Sequence, residues 1–149
     1  MRLSEVLSTM GDITVRSKLV VFTFANSPTL INNHSSILTS VAENRQIFYT
    51  FSRGIHESTL IISASEKESI ESHFKNERQL SFQDNLSAIG IQLPKGNTTV
   101  SGLYYQIFKR LAWEGIALNE VISTTNEFII LVDDSLVDRA FSVIKKLTL

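Results

Sequence analysis

Three stretches in the second half of the chain carry the side chains best suited to holding a small polar molecule. Asn97, Ser101, Gly102 and Leu103 fall where a loop turns into a helix. The first turn of any helix presents unpaired N–H groups and the positive end of the peptide dipole, so it suits a carboxylate. Gly102 lets backbone come close to a ligand, and Ser101 offers a hydroxyl; an ordinary helical first turn accounts for the same residues. Leu118, Asn119 and Glu120 open a following strand, where an amide or carboxylate oxygen, Asn119 foremost, can accept from an ammonium group. Thr125, Asn126 and Glu127 lie in the next turn and add a hydroxyl, an amide and a carboxylate, although Asn and Thr are also common turn formers.

Other chemistry is thin. His34, His56 and His73 lack the spacing of metal ligands, and with no cysteine there is neither a thiolate ligand nor a thiol nucleophile. Asp133 and Asp134 precede a helix, where paired acids ordinarily answer its dipole, and no third ligand recurs at useful spacing. No glycine-rich phosphate loop or nucleophile-elbow string occurs. Trp113 and the Tyr104–Tyr105 pair fall on a helix read as core-facing, and Lys109, Arg110, Lys145 and Lys146 read as scattered on solvent faces. Neither a cofactor, a metal nor a catalytic constellation is expected.

The elements that must position these residues come in two copies. Shifting the chain by 70 positions sets Leu19 and Val21 on Ile89 and Ile91, Ile37 and Leu38 on Ile107 and Phe108, and Val41 on Leu111, without a gap. Glu57–Ile62 then falls on Glu127–Val132, and Ile70 on Ala140. In the second copy 86–93 reads as a strand ended by Pro94. Val100, Leu103, Tyr104, Ile107, Phe108 and Leu111 form one helical stripe, closed by Gly115. Residues 118–123 and 128–132 read as strands, and a last helix opens at Asp134 or Ser135, with Ser135 and Asp138 as its start signal. The first copy reads as strand 14–24, helix 31–44, strands 47–52 and 58–63, and helix 66–75. Its fourth strand comes from Leu80 to Phe82; that of the second copy comes from the chain end or a swapped segment. Strand, helix, strand, strand, helix, strand is the α+β, ferredoxin-like βαββαβ order, with an antiparallel sheet and both helices on one face. The expected division is an arm or short helix at 1–11, a first unit at 12–79 and a second at 80–149. Each unit is too small to bury much area by itself, so the two are expected to pack together.

The strand Ala88–Leu93, the helix Val100–Ile116, the turn Val121–Glu127 and the helix Val137–Ile144 together resemble the tandem ACT domains at the C-terminus of aspartate kinases. There a loop with glycine, an "IF..LA..GI" helix end, an "IS(T/Q).SE" turn and a "D.(E/D)RA" final helix occur in this order. The resemblance covers about the last 65 residues, and Ser52–Glu57 resembles the family's "SQG.SE" turn in the first copy. It implies a stand-alone regulatory protein that binds a free amino acid between units or in a homodimer, at Asn97, Ser101, Gly102, Leu103, Leu118, Asn119, Thr125, Asn126 and Glu127, and signals to a partner enzyme. Gly54, His56 and Glu57 are the weaker equivalents in the first copy. Two departures stand out. The family's lysine-containing phosphate-binding sequence does not occur in these 149 residues, so no aspartate phosphorylation is expected. The shift also places Asn32 where the second copy has Gly102, which leaves a non-sensing dimerisation or interaction scaffold with a decayed pocket as the alternative.

Composition agrees with a folded domain. Apolar residues make up 43% and charged residues 19%, and 14 basic against 15 acidic residues leave a net charge of -1. That balance favours neither nucleic acid nor anionic membrane as partner. The acid-bearing first ten residues lack a signal peptide's apolar core, so the expected location is cytoplasmic.

Overall fold

A computed structural model describes residues 11–93 and 100–147. The chain forms two compact units, each a four-stranded antiparallel sheet carrying two helices, as the ferredoxin-like reading expects.

The first unit spans Lys18–Leu86. It takes the last part of β1 (Ile13–Ala25), then α1 (Leu30–Ala42), β2 (Tyr49–Arg53), β3 (Glu57–Ser63), a 3-10 turn, α2 (Lys67–His73) and the beginning of β4 (Gln79–Gln92), with strand order β2-β3-β1-β4. Antiparallel pairing sets Phe22 opposite Leu60 and Phe51 opposite the same Leu60. Alternation in β1 sends Val20, Phe22 and Phe24 into one core with Leu60, Ile62, Leu30, Ile37, Ile70 and Phe74. Phe82, in the strand expected to complete this unit, lies 4.9 Å from the Phe22 ring.

The second unit comprises residues 11–17, 87–93 and 100–147. Its order is β1-β4-β6-β5, with α3 (Val100–Trp113), β5 (Glu120–Ser123), β6 (Glu127–Asp133) and, after a 3-10 turn, α4 (Val137–Leu147). Leu103, Ile107 and Leu111 place α3 on the core formed by Ile89, Ile91, Phe128, Ile130, Val132, Ala140 and Ile144. Gly115 ends α3 with φ +71°, donating to the Ala112 carbonyl while Ile116 donates to Leu111, so the left-handed cap expected there is present.

The units are divided differently from the expected boundaries at 12 and 80. Residues 80–86 belong with the first unit and residues 12–17 with the second. The reason is that β1 and β4 are each long enough to serve both: Ala25 donates to Arg78 in the first unit, while Gly11 donates to Gln92, and Gln92 to Asp12, in the second. The missing fourth strand of the second unit is therefore the beginning of β1. Lys18 and Asn85, at φ +59° and +56°, mark the changeover on the two strands, a conformation that costs a side-chain-bearing residue about 1–2 kcal/mol. The last helix also starts later than expected. The 3-10 turn Asp134–Leu136 comes first, and Asp133 caps that turn, accepting from the Ser135 backbone at 3.0 Å and its hydroxyl at 2.7 Å; these bonds hold the Asp133 carboxyl below its usual range.

Candidate functional site

One end of the second unit gathers polar groups from three strand ends. The turn between β5 and β6 is closed by Thr124 N–H donating to the Glu127 carbonyl at 2.8 Å. Asn126 uses its carbonyl to accept from Leu93 at 2.8 Å, which ties the turn to the end of β4. Gln92 donates to Asp12 at 3.1 Å, which ties β4 in turn to the beginning of β1. Between them lies an open cavity of about 570 Å³ lined by Asp12, Thr14, Gly90, Ile91, Gln92 and Thr124–Glu127.

Its floor depends on a glycine. A Cβ at Gly90 would stand 3.0 Å from Thr14 Oγ1 and 3.9 Å from Ile129 Cγ1, so the Thr14 hydroxyl lies where it does because position 90 has no side chain. Thr14, Thr124 and Thr125 offer hydroxyls and Gln92 and Asn126 offer amides, while Asp12 and Glu127 supply two carboxylates. The described lining contains no lysine, arginine or histidine. Such a set can accept several hydrogen bonds from an ammonium group and has no fixed cation of its own.

Of the residues singled out in the sequence, Thr125, Asn126 and Glu127 come together here. Leu103 is fully buried against the core and Leu118 packs half-buried on it, so both serve packing. Asn119 donates its backbone N–H to Leu131 at 2.7 Å at the far end of β5 from this turn. Gly102 is half-buried in the first turns of α3, the Ser101 side chain is not among those described, and Asn97 lies outside the described residues. Two residues on, Tyr104 stacks on Phe128 at 4.6 Å and shares a 2.7 Å hydrogen bond with Ser123, fixing the beginning of α3 to the end of β5. Asp12, Thr14, Gly90, Gln92 and Thr124 were not singled out. The isolated Gly90 inside a strand pattern was the available signal, since it marks close backbone approach.

The equivalent turn of the first unit is closed by protein. Asn26 donates to the carbonyls of Gly54 at 2.8 Å and Ile55 at 3.2 Å, and accepts from the Ser58 hydroxyl at 2.6 Å. The His56 carbonyl accepts from Asn26 N–H at 3.0 Å, and Gly54 N–H donates to Glu57 at 2.8 Å.

Two readings of the helices need correction. Tyr105 and Trp113 are 60% and 68% exposed and so stand outside the core stripe that Tyr104 joins. The basic residues are not all scattered: Arg110, Arg139 and Lys146 line a shallow groove of about 280 Å³ between α3 and α4, where Arg139 also donates to the Glu114 carbonyl at the end of α3. Lys109 lies 4.6 Å over the Trp113 ring. Among the described residues no group of three or more His, Asp or Glu could hold a metal, and no helix is long and apolar enough to cross a membrane.

The sequence matches no family model and no curated protein sequence. Solved structures do match the fold. It is the fold of aspartate kinase regulatory regions. The regulatory subunit of aspartate kinase from Thermus thermophilus, in its ligand-free form, aligns with a TM-score of 0.68 at 8% identity over 93% of this chain and 97% of its own. The aspartate kinase of Clostridium acetobutylicum aligns with a TM-score of 0.74 at 16% identity over 95% of this chain. Only 35% of that kinase is covered, so this chain corresponds to about a third of its length. Escherichia coli aspartokinase III, crystallised with lysine and aspartate, aligns with a TM-score of 0.64 at 11% identity over 93% of this chain and 32% of the kinase. At such identities the likeness is one of fold, and it spans nearly the whole of a regulatory subunit but about a third of the whole kinases.

Proposed function

We propose that this chain is a regulatory ACT-type module that binds a free amino acid in the cavity of its second unit and passes occupancy to a partner enzyme. The observation that carries the reading is the cavity itself: Asp12 and Glu127 stand ready for an α-ammonium, with Thr14, Thr125 and Asn126 around them. The two lining carboxylates, Asp12 and Glu127, favour an uncharged or basic side chain over an acidic one. A fold shared with kinase regulatory subunits supports the same role, and an aspartokinase that contains this fold was crystallised with lysine and aspartate. Binding acts through unequal affinity for two arrangements of the protein, and a homodimer in the cytoplasm is the form in which we expect it.

Thermal melting against the twenty amino acids tests this. A ligand at a hundred times its dissociation constant adds about 2.7 kcal/mol, which in a chain of this size raises the melting temperature by roughly 5–10 °C. The shift is expected to vanish in D12N/E127Q. No shift with any amino acid, or an undiminished one in that variant, removes the proposal. The alternative of a non-sensing scaffold draws on the closed first-unit turn around Asn26, and it predicts a dimer by light scattering with no ligand response.

A further inference from the structure

The first helix of the first unit has an unusual beginning. Thr29 stands at the N-cap of α1, yet its side chain makes no capping bond to the helix, and the first turn contains no acidic residue of its own. The Thr29 hydroxyl instead donates to Glu77, a residue far along the chain that lies just before β4. Ser27 donates through its hydroxyl to the other oxygen of the same carboxylate, and Asn33 Nδ2 donates to it at 2.9 Å. One carboxylate thus accepts from three side chains that flank a helix start, where the peptide dipole favours negative charge.

We propose that Ser27, Thr29 and Asn33 form a carboxylate-binding site whose resident ligand is Glu77, so that the first unit is permanently occupied by its own chain and takes no free ligand. Three donors converge on one carboxylate. That is the arrangement by which a protein recognises a free acid, and charge-assisted bonds of this kind are about twice as strong as neutral ones. The second sign of self-occupancy is independent: the turn beside the helix start is also filled, by the Asn26 amide bridging Gly54, Ile55 and Ser58. Any ligand response of the protein then belongs to the second unit alone. The inference does not rest on amino-acid binding there, and it fails or stands separately.

Removing the resident carboxylate and supplying another in solution tests it. E77A is expected to melt roughly 5 °C below the native chain and to regain part of that loss saturably in sodium acetate, but not in sodium chloride of equal ionic strength. The native chain and E77A/N33A show no acetate-specific gain. An unchanged melting temperature in E77A, or an acetate response equal in all three proteins, overturns the proposal. If E77A does not fold, E77Q, N33A and E77Q/N33A serve in its place through their urea midpoints. Losses that fall well short of additive support a shared site, and simple additivity overturns it.

Discussion

Replacing Gly90 by alanine places a single methyl group against the Thr14 hydroxyl. The added Cβ stands 3.0 Å from Thr14 Oγ1, against the 3.5–4.0 Å at which non-bonded carbon contacts are comfortable. With the Thr14 hydroxyl held in place, crowding of this size costs about 1–3 kcal/mol. Because φ at Gly90 is not left-handed, the substitution also recovers about 0.4–1 kcal/mol by narrowing the unfolded ensemble. The net expectation is a loss of about 1–2 kcal/mol, or a fall of roughly 0.5–1.5 M in the urea midpoint at ordinary slopes. Thr14 is exposed, so T14A alone should move the midpoint little. Combined with G90A it removes the oxygen that clashes, and the double variant should recover most of the loss. Equilibrium urea unfolding of the four proteins checks this. A neutral or stabilising G90A, or a loss that T14A leaves untouched, would refute the claim that the Thr14 hydroxyl keeps position 90 a glycine.

At Gly115 nothing lies within 4 Å of a would-be Cβ, so G115A isolates the backbone: about 1 kcal/mol lost in urea unfolding, and less for G115N, since asparagine tolerates the left-handed region. Ile107→Ala empties a fully buried position of the second core, and a loss of about 2–5 kcal/mol is expected. His34 stacks on Phe51 at 3.9 Å and lies 2.7 Å from the Tyr49 hydroxyl; burial lowers its pKa below 6.5 and raises that of the Tyr49 phenol. The unfolded chain therefore takes up the proton first, so the contribution is complete above pH 6.5 and declines as pH falls below it, a slope that melting of H34Q should lack.

What the sequence disclosed follows from how local each signal is. The stripe Leu103, Ile107 and Leu111, the glycine after it and the apolar run 128–132 all announce themselves within one element, and each is where the spacing placed it. The boundaries did not, because β1 and β4 read as ordinary single strands. Lys18 and Asn85 are no glycines to betray a left-handed changeover, and the repeat aligned first strands without revealing which strand ends complete which sheet. The site divides in the same way. Thr125, Asn126 and Glu127 share a turn and could be read together. Asp12 and Thr14 reach the cavity only because β1 lies beside β4, a fact of topology absent from any local pattern. Likewise Glu77 gave no hint that it would cross to the start of α1.

The changeover has a practical meaning for dissecting the molecule. Since the second unit takes residues on either side of Lys18–Leu86, the first unit is nested inside its companion's sequence as a guest inside a host. A cut at residue 79 or 80 would deprive both bodies of an edge. Ser17 and Ser87, by contrast, end neighbouring antiparallel segments. Bridging them with a two-residue Asn-Gly hairpin deletes the guest and leaves the host with all four of its strands.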